Sequence, residues 1–360
     1  LSVSQFLVSI IKPKFLTKKE LHNIADQWFE SKGWKPFKFQ KDARDAYLKG
    51  KHGLLNAPTG SGKTLALWIP IVLDFIKRHP DSWQQPQKTG LVALWLTPLR
   101  SLSAEIKKAA TEFCDGIGIP LQIDIRTGDT TASARAKQKR NMPALLITTP
   151  ESLHLLMAQK GYAKMFAGLS AVVVDEWHEL IGSKRGVQVE LALSRLKSVS
   201  RDMRIWGISA TIGNMDEAMD VLFGMGRLEM KFATIRSKIK KKIEVESIMP
   251  DEMDQFPWAG HLGTKLLQKV IPVIHKSSTT LIFTNTRAQT EIWFQKLHEA
   301  DPDLAGLVAM HHGSLDKQVR EWVEEALREE RLKAVVCTSS LDLGVDFSPV
   351  ETVIQGGSPK

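Results

Sequence analysis

The sequence predicts an α/β protein with two parallel-sheet domains, and three observations predict it. Apolar runs alternate with amphipathic ones from Gly53 to about Gly226, the alternation resumes in shorter form from Thr279, and the stretch between them breaks the rhythm. Strand–helix alternation with continuously apolar strands argues for parallel sheets covered on both faces. A length of 360 residues agrees, since it exceeds what one hydrophobic core ordinarily supports.

In the first half, "GLLN", "GLVALWLT", "PLQIDI", "ALLITT", "AVVVDE" and "RIWGISAT" read as short buried strands. Between them, "GKTLALWIPIVLDFIKR", "EIKKAATEFC" and "VQVELALSRLKSV" read as helices. The stretch "KIKKKIEVESIMPDEMDQFPWAGH" combines a basic run, an acidic cluster and two prolines, so it is expected to connect domains, with a strand in "KIEVESI". The second half continues with "TTLIFTN", a helix over Arg287–His298, "GLVAMHH", a helix over Leu315–Glu330, "KAVVCTS" and "VETVIQ". The expected division is an N-terminal extension over 1–35, a first domain over 36–228, a connection over 229–262 and a second domain over 263–360. The second domain stops after a strand without its closing helix, and the chain opens on Leu1, so a fragment of a longer protein is expected.

Composition narrows the function classes. Hydrophobic residues make up 43% and charged residues 25%, which is ordinary for a globular protein and argues against wholesale disorder. The net charge of +9 favours a polyanionic partner, although a merely basic globular protein fits the charge equally well. Cys114 and Cys337 are far apart and outside any CxxC pair, so neither a disulfide framework nor a zinc site is expected, and a reducing cytoplasm fits. No apolar run reaches the ~20 residues that span a bilayer, and the opening segment lacks a basic n-region and a cleavage site.

The chemistry is concentrated in two places. "APTGSGKT" (Ala57–Thr64) follows a strand and opens a helix, matching the phosphate-loop pattern except that Ala57 holds the first glycine position. Gly60 and Gly62 allow the tight turn that points backbone N–H groups of Thr59, Gly60, Ser61 and Gly62 into one concavity, and the helix N-terminus adds its positive end. Lys63 is placed to neutralise β- and γ-phosphates of ATP, and the Thr64 hydroxyl to ligate Mg²⁺. A plain Gly-rich turn is the bland alternative; strand, loop, Lys-Thr and helix in that order argue against it. The second place is "VVVDEWHEL", an apolar strand that ends in Asp175, Glu176, Trp177 and His178. Asp175 is expected on the metal side, and Glu176 as the base that takes a proton from attacking water. A strand-capping acid is the alternative for each; the upstream phosphate loop decides between them.

With "SAT" (Ser209–Thr211) following in order, the chain resembles superfamily 2 DExH-box helicases, and within them the large-helicase-related (Lhr) group and its ligase-associated DNA helicases. "SKGWKPFKFQ", "TPLRSLS", "RTGDT", "TTPESL", "DEWHELIGSKRG", "FPWAGHLG", "FTNTR", "HHGSLD" and "CTSSLDLGVDFSPV" carry the resemblance, which covers nearly the whole chain. It implies two RecA-like domains, the second incomplete here, and an ATP- and Mg²⁺-dependent DNA helicase or translocase moving 3′-to-5′ in DNA repair. A DNA ligase or nuclease is the protein partner it implies.

By the same resemblance, Phe37 and Gln40 look like the adenine-reading motif, and Ser209, Thr211 and His178 like the elements coupling hydrolysis to movement. Thr97 and Arg100, Thr127 and Gly128, and Thr149 look like nucleic-acid contacts of the first domain. Asn285 and Arg287, His312 and Gly313, and Thr338 and Ser339 look like those of the second. Gly344 and Asp346 match the motif that closes on ATP. Hydroxyls, backbone N–H groups and helix N-termini grip phosphates and do not read bases, so sequence-independent tracking of a single strand is expected. Each Ser or Thr taken alone could be a helix cap.

Three further features are left open. "GSKRG" (Gly182–Gly186) reads as a loop with two cations, either solvated or strand-contacting; "RAKQKR" (Arg135–Arg140) reads as a solvated helix face; Trp258 could stack on a base or fill a core. The family's arginine-finger motif would fall beyond Lys360, so poor hydrolysis by this stretch is expected. Two rival functions remain at this point: an RNA helicase or RNP remodeller, and a nucleotide-gated binding module without turnover.

Overall fold

The structure, a computed structural model, describes residues 16–86, 88–210, 212–224, 231–239, 243–249, 263–338, 341 and 350–356. The chain divides into two compact units, Leu1–Lys240 and Lys241–Lys360. The first unit runs α1 (Lys18–Ser31), α2 (Lys38–Leu48), β1 (His52–Asn56), α3 (Lys63–Arg78), β2 (Ala93–Leu96), α4 (Arg100–Ile117), β3 (Ile123–Arg126) and α5 (Ala132–Arg140). It continues through β4 (Leu145–Thr148), α6 (Pro150–Met157), α7 (Tyr162–Phe166), β5 (Ala171–Val174), α8 (Trp177–Leu180), α9 (Lys184–Val199), β6 (Arg204–Ser209), α10 (Met215–Phe223) and β7 (Phe232–Arg236). Its seven strands are ordered β3-β4-β2-β5-β6-β1-β7, and every pairing is parallel.

Strand alternation explains why these strands are apolar throughout. Leu55, Trp95, Val173 and Trp206 point to one face and join a core with α1–α4; their neighbours Leu54, Leu94, Val172 and Ile205 point to the other and join a core with α6, α9 and α10. Parallel strands also align their C-terminal ends along one edge, where open α/β sheets bind ligands. The phosphate loop, the Asp175–His178 turn, Ser209 and the loops after β2, β3 and β4 all leave the sheet at that edge.

The second unit runs α11 (Leu267–Lys276), β8 (Thr280–Phe283), α12 (Arg287–Ala300), β9 (Val308–His311), α13 (Lys317–Arg328), β10 (Ala334–Cys337) and β11 (Thr352–Gln355). Its sheet is parallel in the order β11-β8-β10-β9. Val336 and Ile282 enter a core with α11 and α12, while Val335 and Leu281 enter one with α13.

The structure departs from the sequence-based division in three places. The stretch assigned to an N-terminal extension contains α1, capped by Thr17 and Glu20, whose Leu21, Ala25, Trp28 and Phe29 lie in the first core; the Trp28 and Phe113 rings meet edge-on at 5.1 Å. The stretch assigned to the connection contains β7, which pairs with β1 and ends the sheet. "KIEVESI" forms no strand among its described residues: Ile243 and Val245 are exposed, and Ile248 packs against the second unit's core. Trp258, Thr211, Ser339, Gly344 and Asp346 lie outside the described residues. Among the described residues no helix is long and apolar enough to cross a membrane.

One histidine ties the first sheet to pH. His52 Nδ1 accepts the Ile205 N–H at 3.1 Å, which only the neutral ring can do. Burial, then the Lys197 and Arg204 charges, lowers its pKa to about 4. In the unfolded chain histidine titrates near ~6.5, so between the two values the unfolded state binds the extra proton. The stabilisation is therefore complete above about 6.5 and is lost as pH falls toward about 4. In His52→Asn, whose amide oxygen can accept the same N–H, the denaturant midpoint of the first unit is expected to lose this part of its pH slope; an unchanged slope would remove His52 as its source.

Candidate functional site

The phosphate loop leaves β1 after Asn56 and enters α3 at Lys63. Gly60 and Gly62 have φ of +73° and +79°, a region that disfavours residues with a Cβ. A Cβ on Gly62 would also lie 2.8 Å from Gln40 Nε2. The buried Gln40 amide clasps the loop: Nε2 donates to the Gly62 carbonyl at 3.1 Å, and Oε1 accepts the Phe37 N–H at 2.8 Å. One amide hydrogen and one lone pair remain for a further partner. Phe37 is half-exposed and stacks on Phe39. The Ser61 hydroxyl donates to the Pro58 carbonyl at 2.6 Å, Thr59 is exposed, and Thr64 is half-buried in the first turn of α3.

Lys63 is the centre of the site. The residue is 8% exposed and its ammonium pairs with Glu176 Oε1 at 3.1 Å, so the loop and the acidic turn are joined by a buried ion pair. Asp175 extends the β5 ladder, its N–H donating to Leu96. Its carboxylate accepts the Trp95 indole N–H at 3.1 Å and the Glu176 N–H at 2.9 Å. Burial, then the adjacent Glu176 charge, pushes Asp175 up to about 6.

Glu176 sits in the left-handed region at φ +44°; among the described residues Glu330 is the other non-glycine with positive φ. Such a conformation costs about 1–2 kcal/mol and gathers at functional sites. Trp177 holds the turn in place. It is fully buried, and its indole N–H donates to the Ala218 carbonyl of α10 at 2.9 Å. His178 Nδ1 lies 3.1 Å from Ser209 Oγ and 3.5 Å from Glu176 Oε2, which is buried without a hydrogen-bond partner among the described residues. Asn56 closes the circle by donating to the Ala210 carbonyl at 3.1 Å. Sequence reasoning passed over Asn56 and Trp95; a polar residue ending an apolar strand was the available signal for the first.

Two buried carboxylates facing one ammonium, with the Thr64 hydroxyl on the adjoining helix, supply the oxygen donors a hard divalent cation prefers. Among the described residues no cluster of three His, Cys, Asp or Glu could hold a metal.

Beyond β5 the same edge carries hydroxyls and guanidiniums. Thr97 is buried, with its hydroxyl on the Leu99 carbonyl at 3.3 Å. Arg100 opens α4 and pairs with Asp129 at 2.7 Å, lying so close to Gly128 that a Cβ there would meet Nη2 at 2.7 Å. The Thr127 N–H donates to Thr130, and Thr149 caps α6 through the Ser152 N–H. In the second unit Thr286 caps α12, the Asn285 N–H donates to Gln289, and Arg287 donates to Ser314. The buried His312 accepts the Ser314 N–H at 3.3 Å, Gly313 is exposed beside it, and the Thr338 N–H donates to His311 at 3.2 Å. Each unit thus gathers its own expected loops at one sheet edge.

Two sequence readings are corrected. "GSKRG" is not a loop: Ser183 caps α9, which begins at Lys184, and Arg185 pairs with both Glu151 oxygens at 2.6 and 3.2 Å. The solvated-face reading of "RAKQKR" fails for Arg135 and Gln138. Arg135 donates to the carbonyls of Thr127 and Gly128, and buried Gln138 donates to Ile125 at 3.0 Å.

Residues 37–218 match the family model of the DEAD/DEAH box helicases, and residues 264–360 match that of the helicase conserved C-terminal domain. The chain is 32% identical to the ATP-dependent helicase Lhr-Core protein 2 of Thermococcus barophilus, over 96% of this chain and 41% of that protein. It is 33% identical to ATP-dependent helicase Lhr-Core of Methanocaldococcus jannaschii, over 98% of this chain and 42% of that one. Among solved structures, Mycobacterium smegmatis helicase Lhr bound to ssDNA and AMP-PNP superposes with a TM-score of 0.76 at 29% identity, covering 92% of this chain and 43% of that one. The chain therefore spans about two fifths of the length of the curated relatives it matches. With a family model matched over more than half its length and both parallel-sheet units in place, the chain belongs to the DEAD/DEAH box helicases.

Proposed function

We propose that this chain is the ATP-driven core of an Lhr-type DNA helicase or translocase, acting on single-stranded or partly duplex DNA. The observation that carries the reading is the buried Lys63–Glu176 pair at 3.1 Å, which joins a phosphate loop to a carboxylate held in a strained turn. The similar Mycobacterium smegmatis helicase Lhr was solved with ssDNA and AMP-PNP, which supports the same ligand classes here.

In this reading ATP phosphates enter the concavity of residues 59–62, and Lys63 turns from Glu176 to the β- and γ-phosphates. Thr64 and Asp175 would hold Mg²⁺, which supplies charge neutralisation on those phosphates. Released from its ammonium partner, Glu176 accepts a proton from the attacking water at the oxygen that Lys63 had engaged. His178 and Ser209, 3.1 Å apart, sense that change next to Glu176. Phe37 and the free half of the Gln40 amide meet the adenine. Loops after β2, β3 and β4, with those after β8, β9 and β10, grip strand phosphates. Translocation 3′-to-5′, a part in DNA repair and a ligase or nuclease partner follow from the family resemblance alone.

Steady-state ATP hydrolysis with single-stranded DNA and RNA of equal length tests the reading. DNA is expected to stimulate turnover at least several-fold more than RNA. Stimulation by RNA alone would replace DNA with RNA as substrate, and stimulation by neither in the full-length protein would overturn the motor reading.

A further inference from the structure

Strand β1 is apolar until its last residue. Gly53, Leu54 and Leu55 are buried, and the half-buried Asn56 then stands directly before Ala57 of the phosphate loop. In the sheet Asn56 lies in register with Ser209 of β6 on one side and Arg236 of β7 on the other. A polar side chain at the end of a covered strand is costly unless its hydrogen bonds are met. Here the amide meets the neighbouring strand end. Nδ2 donates to the Ala210 carbonyl at 3.1 Å and to that of Ser209 at 3.4 Å, while the Ala57 N–H donates to the same Ser209 carbonyl at 3.0 Å.

The strand β6 ends at Ser209, so beyond it the side chain of Asn56 supplies the next rung to Ala210. An amide nitrogen has two hydrogens, and spending both on successive carbonyls fixes the course the chain takes as it leaves β6. That course decides where Ser209 Oγ sits, 3.1 Å from His178 Nδ1, which in turn lies 3.5 Å from Glu176 Oε2. The phosphate loop is therefore held at both ends, by Gln40 on the Gly62 carbonyl and by Asn56 on Ala210. A shift of residues 57–62 around phosphates pulls on the strand end that carries Asn56. Its hydrogen bonds carry the shift sideways to the Ser209–His178 pair, a path through adjoining contacts that does not pass through Lys63.

We infer that Asn56 is a positioning residue of ATP-driven movement: its amide ties the start of the phosphate loop to Ser209–Ala210, so that occupancy of the loop sets the place of Ser209 against His178. The inference rests on the reading above that has Ser209 and His178 sense the state of the nucleotide. It deepens that reading with a route that begins one residue before the loop.

The experiment uses the full-length protein and reads two quantities: kcat and KM for ATP with saturating single-stranded DNA, and duplex strands displaced per ATP hydrolysed. Asn56→Leu keeps the branching of the side chain and removes its amide hydrogens. It is expected to displace about ten-fold fewer strands per ATP, the weight of two hydrogen bonds of ordinary net strength, with KM for ATP within about two-fold of wild type. Asn56→Gln, which keeps the amide, is expected to recover most of that ratio. If Asn56→Leu fails to fold by circular dichroism, Asn56→Ala is read in its place. A residue that merely ended the strand would lower stability and turnover and leave the strands displaced per ATP at the wild-type value. That result in Asn56→Leu, or a ratio in Asn56→Gln no better than in Asn56→Leu, overturns the inference. Ser209→Ala and His178→Ala in the same assay separate it from the reading beneath it. A wild-type ratio in both removes their sensing role and the inference with it; a lowered ratio in both beside a wild-type ratio in Asn56→Leu removes Asn56 alone.

Discussion

Glu176→Gln is expected to reduce ATP turnover by about 10²–10⁴-fold, the usual contribution of a positioned general base, while leaving Mg-ATP binding intact or tighter. The reason lies in the partner Glu176 holds. Lys63 is 8% exposed and its ammonium is balanced by Glu176 Oε1 at 3.1 Å, so ATP must compete with a carboxylate for the same cation. An amide at that position still accepts from Lys63 but carries no charge to be displaced. It also leaves a buried cation less well compensated, which destabilises the fold when no nucleotide is bound. Added ATP should therefore raise the melting temperature of Glu176→Gln more than that of the wild type. Turnover within a few-fold of wild type would remove Glu176 as the base, whatever the binding result.

The second large effect is on the scaffold of the same turn. Trp177→Ala should destabilise the first unit by about 3–5 kcal/mol, the cost of emptying a large buried aromatic site. Its indole is fully buried, donates to Ala218 and spans from the Glu176 turn to α10. Loss of the ring should also release the left-handed turn that aims Glu176 at Lys63, so turnover falls together with stability. Trp177→Phe retains most of the volume and leaves the Ala218 carbonyl without its donor, for about 1–3 kcal/mol. Because the chain has two units, the comparison is made on the first unit's own unfolding transition. A cost below about 1 kcal/mol for Trp177→Ala would show that the ring does not anchor the turn.

The parts of the molecule legible in the sequence are those with a short-range signature. Continuous apolar runs announced buried parallel strands because both faces of each sheet are covered, as Leu54 and Leu55 show by entering opposite cores. Gly60 and Gly62 announced the phosphate loop because only their backbone freedom permits its positive φ values. What stayed hidden depends on distant partners. Arg135 looked solvated because nothing local says that its guanidinium reaches back to Thr127 and Gly128. Arg185 looked like part of a loop because its partner, Glu151, lies on α6. "KIEVESI" alternates as a strand should, yet Ile243 and Val245 are exposed and only Ile248 reaches a core. Trp177 marked a family resemblance in the sequence; its physical reason, the bond to α10, needed the fold.

The central claim is that Lys63 exchanges Glu176 for ATP phosphates. Calorimetric titration of Mg-ATP into the wild-type chain and Lys63→Met tests it most directly. The exchange predicts one site in the wild type and an affinity at least ~30-fold weaker in the variant, since a charge-assisted bond worth roughly 2–3 kcal/mol is lost. Equal affinity in the two proteins would contradict it.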